Sequence, residues 1–180
     1  MKKIICGILI VAIIASFFTF TTSGASKANY KIDNDTVDNT FMNRRSGFDI
    51  YVTGSSHYNG DCRRQLSSNA NAYYEWRKKS DPVYSKDYPI YVTVGVYLNN
   101  TRFTDTRAHY HIIQEDDRYL INILDQNTAR AGWTYFDATF NWNNTTPNEF
   151  TVYGLAVTPS GLGNGLYTGA DAIHINAEAG

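Results

Sequence analysis

The chain has 180 residues and a formal net charge of −1, and its two cysteines are Cys6 and Cys62. Nearly balanced charge gives no concentrated basic surface, which argues against a nucleic-acid partner. Two cysteines do not make the disulfide framework that small secreted domains use. All 14 tyrosines lie at or beyond Tyr30, accompanied by 3 tryptophans, and such rings occur both in large β cores and on binding surfaces.

The first 28 residues show the three parts of a secretory signal peptide. Two lysines form a positive start, and an almost unbroken apolar run covers residues 4–20. Small residues follow, and cleavage after Ala25 or Ala28 satisfies the small-x-small rule. The alternative is a retained membrane anchor, because the run reaches the lower limit of a bilayer span. We expect cleavage, a secreted or extracellular location and no stable membrane insertion afterwards.

Removal of the signal peptide leaves residues 29–180, which number about 150, the size of one ordinary domain. The stretch from about 29 to 45 is polar and is interpreted as a lead-in to that domain. Cys6 leaves with the signal peptide, so Cys62 has no intrachain partner. We interpret Cys62 as a small core residue. A reactive thiol and an intermolecular disulfide are the alternatives.

Short strand-like runs separated by turn residues follow the lead-in. The clearest is Ile90–Leu98, in which aliphatic residues alternate with Tyr91, Thr93, Gly95 and Tyr97. This period-two alternation is typical of a strand with two different faces. The other predicted strands cover 48–53, 72–77, 108–113, 119–124, 133–142, 150–157 and 170–176. About eight such strands without a helical pattern predict an all-β fold, a β-sandwich or a barrel rather than a parallel α/β sheet. Of the two we expect an antiparallel, jelly-roll-like β-sandwich.

A succession of short motifs runs through the part beyond the signal peptide. They are Val37-Asp38-Asn39, Gly47-Phe48, Tyr58-Asn59-Gly60, Ala72 to Arg77, Tyr88 to Leu98, Asn100 to Tyr110, Asp125-Gln126 with Gly132-Trp133, and Gly169 to Ile173. In this order the chain resembles the golvesin/xanthan-lyase carbohydrate-binding-like domain of secreted bacterial proteins. The resemblance implies an all-β module with a non-catalytic, sugar-related role. It also implies that Trp133 is a structural anchor rather than a residue that stacks on a ligand.

Tyr91 and Tyr97 share the face of the Ile90–Leu98 strand that lies opposite the aliphatic residues. Aromatic rings on a flat sheet face can stack on the apolar faces of pyranose sugars. We therefore predict that Tyr91 and Tyr97 bind a polysaccharide or a cell-envelope glycan. The alternative is that both rings pack under a loop or against a second sheet.

No catalytic signature stands out. The chain lacks G-x-S-x-G and H-E-x-x-H, which mark a nucleophile elbow and a zinc protease. Cys62 with a histidine is a conceivable nucleophilic pair, because such a pair needs only spatial proximity. Glycoside hydrolysis needs two carboxylates across a cleft, and sequence spacing does not select a pair from the candidates Glu75, Glu115, Asp117, Asp137 and Glu149.

Two patterns resemble metal ligands. His109 and His111 lie two apart on a predicted strand, so both face the same side, with His57 or His174 as a distant third ligand. Asp33-Asn34-Asp35 with Asp38 has calcium-like spacing but lacks the central glycine and distal glutamate of an EF-hand loop. We interpret both patterns as solvated polar segments and predict neither a metal nor another cofactor.

The favoured interpretation is a secreted, non-catalytic binding module for a carbohydrate polymer or a cell-envelope component. One alternative is an envelope or matrix protein that acts by contact with other envelope proteins. The other is a small secreted polysaccharide-degrading enzyme. An exposed aromatic surface favours binding, whereas two close carboxylates in a cleft favour the enzyme.

We expect the exported protein to begin at Ser26 or Asn29, because small residues directly follow the apolar run. Intact-mass analysis of the culture supernatant measures this. Recovery only from the membrane fraction, with Met1 retained, contradicts the expectation.

Overall fold

A computed structural model describes residues 27–36, 40–79, 90–99, 101–114, 116–140, 152–163 and 165–179. The strands are β1 (Lys27–Asp33), β2 (Phe41–Ser46), β3 (Ile50–Thr53), β4 (Asp61–Leu66), β5 (Tyr73–Lys79), β6 (Ile90–Leu98), β7 (Ala108–Gln114), β8 (Asp117–Leu124), β9 (Gly132–Phe140), β10 (Val152–Thr158), β11 (Tyr167–Ala170) and β12 (Ala172–Ala179). One short 3-10 turn covers Tyr58–Gly60. Within these ranges no helix has the length and apolar character needed to cross a membrane. Residues 1–26 of the predicted signal peptide lie outside the described part.

The strands pair into three antiparallel sheets. Sheet A has the order β1-β12-β6-β9, sheet B the order β2-β5-β10-β7-β8, and sheet C the order β11-β4-β3. Every strand pair is antiparallel. The prediction of an all-β, antiparallel sandwich is confirmed.

The alternation in β6 sets the inner face of sheet A. Val92, Val94, Val96 and Leu98 are all buried, and the intervening residues point to the other side. Isoleucines of β12 stand opposite these valines in the register and are buried with them. Aliphatic and β-branched side chains pack well on a pleated surface, so this strand carries one half of the core.

Sheet B supplies the other half of the core with larger rings. Tyr74 and Trp76 of β5 are buried with their ring centroids 4.9 Å apart. Tyr110 of β7 contacts sheet A, because its ring centroid lies 5.7 Å from that of Phe136 in β9. Sheet C adds Cys62 to the same core, in agreement with its interpretation as a small buried residue.

Twelve strands, rather than about eight, occur in the described ranges. Two of the additional strands, β1 and β2, lie mostly in the polar segment from about 29 to 45 that was expected to be a lead-in, and β1 begins at Lys27, within the predicted signal peptide. β1 pairs with β12 over its whole length, from Lys27 opposite Glu178 to Asp33 opposite Ala172. The other additional strands are β4 and β11. In β4 only Cys62 is fully buried among charged and polar neighbours, so its sequence carries no apolar alternation.

The two faces of β6 predict different responses to alanine substitution. Val94→Ala should lower the free energy of unfolding by about 1–3 kcal/mol, because it removes buried methyl groups and leaves a cavity. Thr93→Ala should stay within about 0.5 kcal/mol, because the Thr93 hydroxyl donates to the exposed Asp137 carboxylate, at 3.1 Å, on the outer face of the sheet. Urea unfolding midpoints of the two variants measure the difference, and equal losses would contradict it.

Candidate functional site: an aromatic face on sheet A

Strand β9 carries aromatic side chains to the outer side of sheet A. Phe136 packs against the core, so the alternation of a strand directs Trp133 and Tyr135 outward. In the register of β6 with β9, Tyr97 stands opposite Trp133 and Gly95 opposite Tyr135. The outward residues of both strands therefore meet on one surface.

A single row of outward residues crosses all four strands of this sheet. Lys31 of β1 stands opposite His174 of β12, which stands opposite Gly95. The ring of Tyr135 lies over Gly95, where an added Cβ would be 2.6 Å from Tyr135 Cε1. The missing side chain at residue 95 therefore leaves the space in which Tyr135 lies against the sheet.

Four aromatic rings and an imidazole form a continuous surface here. The ring centroid of Trp133 lies 5.4 Å from that of Tyr97 and 5.4 Å from that of Tyr58. The Trp133 ring is also 6.2 Å from Tyr135 and 5.9 Å from His174. We call Tyr58, Tyr97, Trp133, Tyr135 and His174 the aromatic face.

Polar groups tie this surface together. The Tyr135 hydroxyl is 3.2 Å from His174 Nδ1, and His174 Nε2 is 2.8 Å from Asn29 Oδ1. Burial, and then the charge of Lys31, lower the pKa of His174, which favours a neutral imidazole at pH 7. The neutral ring fits these contacts when Nε2–H donates to Asn29 and Nδ1 accepts from the Tyr135 hydroxyl. The Lys31 ammonium lies 5.2 Å from the Trp133 ring centroid.

Of the two tyrosines predicted to bind a ligand, Tyr97 belongs to the aromatic face. Tyr97 is half-buried and contacts Tyr58 and Trp133. Tyr91 belongs to the same strand face by its register opposite Thr139, and its side chain lies outside the described residues. Trp133, expected to be a structural anchor, is half-buried and lies beside Tyr97 on the outer surface instead of within the core.

Sequence reasoning missed Tyr58, Tyr135, His174 and Lys31 as members or neighbours of this surface. For Tyr135 a signal existed, because the run from Trp133 onward alternates as β6 does. The other three residues come from segments far apart in the chain. The pairing of strands β1, β12 and β6 brings Lys31 and His174 together, and the turn between β3 and β4 places Tyr58 beside Tyr97 and Trp133.

A buried polar cluster lies near one end of the aromatic face. Cys62 Sγ is 3.6 Å from His57 Nε2, and His57 Nδ1 is 3.3 Å from Asp171 Oδ2. Asn99 Nδ2 is 3.4 Å from the same His57 Nδ1. The conceivable Cys62–histidine pair is therefore close in space, in the order of a nucleophile, a base and an orienting acid.

The surroundings of Cys62 do not activate its thiol. Burial raises the pKa of Cys62 and lowers the pKa of His57. Burial also raises the pKa of Asp171 to about 8. A nucleophilic cysteine needs a lowered pKa and access to substrate, whereas Cys62 is 0% exposed. Cys62, His57 and Asp171 form a buried cluster joined by these contacts.

The three candidate carboxylates that the structure describes lie apart from one another. Glu75 is buried on the outer side of sheet B, where Arg77 Nε and Arg118 Nε each donate to it at 2.6 Å. Asp137 lies on the outer side of sheet A, and Asp117 is exposed at the start of β8. Glu115 and Glu149 lie outside the described residues.

Among the described candidate metal ligands, His109 and His111 are neighbours, and the others lie elsewhere in the fold or accept hydrogen bonds. His109 and His111 lie with ring centroids 6.4 Å apart, whereas His57 is buried and His174 belongs to the aromatic face. The Asp33 carboxylate accepts hydrogen bonds from the Asn34 backbone at 2.8 Å and from Asn59 Nδ2 at 2.7 Å. Asp38 lies outside the described residues, and those that are described contain no group of three side chains suited to a metal ion.

No protein-family model matches the chain, and no curated protein matches it. The golvesin-like resemblance therefore stays a prediction. Among solved structures, an exo-β-1,3-galactanase from Phanerochaete chrysosporium is similar over 83% of this chain, with 12% identity and a TM-score of 0.45. A xanthan lyase from Paenibacillus is similar over 82%, with 14% identity and a TM-score of 0.47.

The adhesin domain of Lys-gingipain from Porphyromonas gingivalis is similar over 85% of this chain and 98% of its own, with 10% identity and a TM-score of 0.39. In contrast, the similar part spans 29% of the galactanase and 13% of the xanthan lyase. These weak similarities identify neither a family nor an activity for the chain.

The burial of Cys62 predicts that its thiol is unreactive in the folded protein. A chromogenic disulfide reagent should leave native Cys62 unmodified and react with it after unfolding in guanidinium chloride, because only the accessible thiolate attacks. A Ser55→Cys variant provides the control, since residue 55 is exposed in a turn and its thiol should react in the native state. Rapid native labelling of Cys62 would show that the cluster is open to solvent.

Proposed function

We propose that the chain is a secreted, non-catalytic module that binds a carbohydrate polymer through the aromatic face of sheet A. The observation that carries the proposal is the unbroken contact of Tyr58, Tyr97, Trp133 and Tyr135 on the outer side of one sheet. Half of Tyr135 is exposed, so its ring is accessible to a ligand.

The chemistry of this surface suits sugar rings. Pyranoses present apolar C–H faces to aromatic rings and hydroxyl groups to polar neighbours. The next row of outward residues on sheet A supplies such polar neighbours, with Asn176 of β12, Thr93 of β6 and Asp137 of β9 side by side. Stacking on the rings and hydrogen bonding at their border would hold one sugar chain along the sheet.

The extent of the surface favours a polymer over a single sugar. Neighbouring ring centroids lie 5.4–6.2 Å apart from Tyr58 to Tyr135, so a single monosaccharide covers only part of them. The register of β6 adds Tyr91 to the same strand face, beyond Thr93. A ligand of several units can contact successive rings and gain affinity from each.

A binding role agrees with the state of the candidate catalytic groups. The thiol of Cys62 is buried and neutral, and Glu75 is buried between two arginines. The resemblance to golvesin-like domains implies the same class of function. The predicted signal peptide would deliver the module to the cell exterior, where polysaccharides are available.

Affinity electrophoresis against a panel of soluble polysaccharides tests the proposal. Trp133→Ala and Tyr135→Ala should each weaken binding by about three- to tenfold, because each loses one aromatic contact. Tyr119→Ala is the matched control, since Tyr119 on sheet B is 51% exposed and Tyr135 is 50% exposed. Tyr119→Ala should migrate like the wild type in every gel.

Two outcomes would contradict the proposal. Equal migration of all variants and of wild type in every polysaccharide gel would exclude the aromatic face as a glycan site. Loss of binding in Tyr119→Ala with retention in Tyr135→Ala would place the site on sheet B. Thermal unfolding of each variant separates lost binding from lost folding.

A further inference from the structure

We propose that the ligand of the aromatic face is a polysaccharide that carries carboxylate groups, and that Lys31 and Asn29 on β1 bind those groups. The inference rests on the proposed function, because it names the chemical class of the polymer that the face binds. It concerns a different part of the surface, the border that β1 forms beside His174, and it therefore has its own test.

Lys31 and Asn29 lie at one border of the aromatic face. They are alternate residues of β1, so they project from the same side of sheet A, and both are exposed. Lys31 stands opposite His174 in the register, and Asn29 contacts the same imidazole through its Oδ1 atom. The Lys31 ammonium lies 5.2 Å from the centroid of the Trp133 ring. A sugar chain that stacks on the rings can therefore extend to this border.

The hydrogen bonds through His174 all run in one direction. Asn29 Oδ1 can only accept, so His174 Nε2, at 2.8 Å, donates to it. In the neutral imidazole Nδ1 then accepts from the Tyr135 hydroxyl, at 3.2 Å. Because this contact uses the oxygen of the Asn29 carboxamide, Nδ2 remains as a donor, and it bonds no group in the part of the chain that the structure describes. Asn29 therefore presents N–H groups to a ligand.

Lys31 adds a positive charge that has no carboxylate partner among the described residues. None of the ion pairs in those ranges includes Lys31. Asp33, two residues further along β1, is buried and accepts a hydrogen bond from Asn59 Nδ2 at 2.7 Å. Asp137, in the neighbouring row on β9, accepts a hydrogen bond from Thr93. The ammonium group is therefore available to an anionic group of a ligand.

The border formed by Lys31 and Asn29 is chemically complementary to a carboxylate. The ammonium group and the amide nitrogen both donate, and an ionised carboxyl group only accepts. Hydrogen bonds that involve charged groups are also stronger than neutral ones, whereas a sugar hydroxyl brings a donor of its own to this border. The whole chain has a net charge of −1, so its overall charge does not attract an acidic polymer. The local donors therefore supply the preference.

Isothermal titration calorimetry at pH 8, where His174 is neutral, tests the inference with alginate, polygalacturonate and hyaluronan, each compared with its carboxyl-reduced form. Reduction converts each carboxylate to a primary alcohol and leaves the sugar rings in place. Wild type should bind at least one acidic polymer about two- to fivefold more tightly than its reduced form, the range expected for an exposed ion pair. The preference should disappear in about 0.5 M sodium chloride, because salt screens exposed charges.

Substitution of Lys31 separates the contribution of its charge from that of the rings. Lys31→Met removes the charge and keeps an unbranched stem beside Trp133, so it should abolish the preference for the acidic polymer and leave the affinity for the reduced polymer unchanged. Lys31→Arg should keep the preference. Lys79→Met is the matched control, because Lys79 is an exposed lysine on β5 of sheet B, and it should bind both polymers as wild type does.

Substitution of Asn29 tests the direction of the hydrogen bonds. Asn29→Asp still provides an acceptor for His174 Nε2–H, but it replaces the donor amide with a carboxylate oxygen. Affinity for the acidic polymer should therefore fall about fivefold or more, the loss expected for one hydrogen bond. Affinity for the reduced polymer should change by less than about twofold, because a hydroxyl group can donate to the new oxygen.

The outcomes separate this inference from the proposed function. Equal affinity of wild type for the acidic and the reduced polymers, or equal losses in Lys31→Met and Lys79→Met, would overturn the carboxylate site. Binding of neutral polysaccharides alone, if Tyr135→Ala weakens it, would also overturn the carboxylate site and would retain the proposed function. Absence of binding to every polymer removes the proposed function, and the carboxylate site with it. Thermal unfolding of each variant shows whether it is folded.

Discussion

The alternation of β6 is the constraint on which the other features depend. Its even-numbered residues from Val92 to Leu98 fill the core, and the pleat of the strand necessarily turns Thr93, Gly95 and Tyr97 to the opposite side. β6 is paired on both sides, with β12 and β9. Its register therefore decides which residues of those strands meet solvent. A shift of one residue would bury the aromatic face and expose the valines.

The two sides of sheet A are also coupled through the loops at one end. Asp171 lies between β11 and β12, accepts the backbone N–H of Tyr58, and contacts His57 from inside. Trp76 Nε1 of sheet B donates to the Asp171 carbonyl at 3.4 Å. Asp171 is thus hydrogen-bonded both to Trp76, whose ring lies in the core, and to Tyr58, whose ring lies on the surface. A buried polar cluster of this kind is costly unless its groups are paired, which restricts the loop to one arrangement.

The sequence predicted elements whose apolar pattern is complete and missed those whose pattern is sparse. The run Ile90–Leu98 coincides with β6 because nine residues alternate without a break. β4 has one fully buried residue, Cys62, and β1 is polar at several positions, so neither differs locally from a loop. Tyr97 was predictable from its strand alone. Tyr58 and His174 were not, because their proximity arises from strand order and from a closed loop, and no local pattern encodes either.

The pairing of β1 with β12 has a consequence for the order of folding. These strands are far apart in the chain, yet they are hydrogen-bonded neighbours over seven residue pairs. β12 also separates β1 from β6 within the sheet. The β1–β12 and β12–β6 pairs therefore form only after residues 172–179 have been synthesised, and contacts of such long sequence separation form slowly. Until then β1 lacks its partner strand, and within this sheet β6 can pair only with β9.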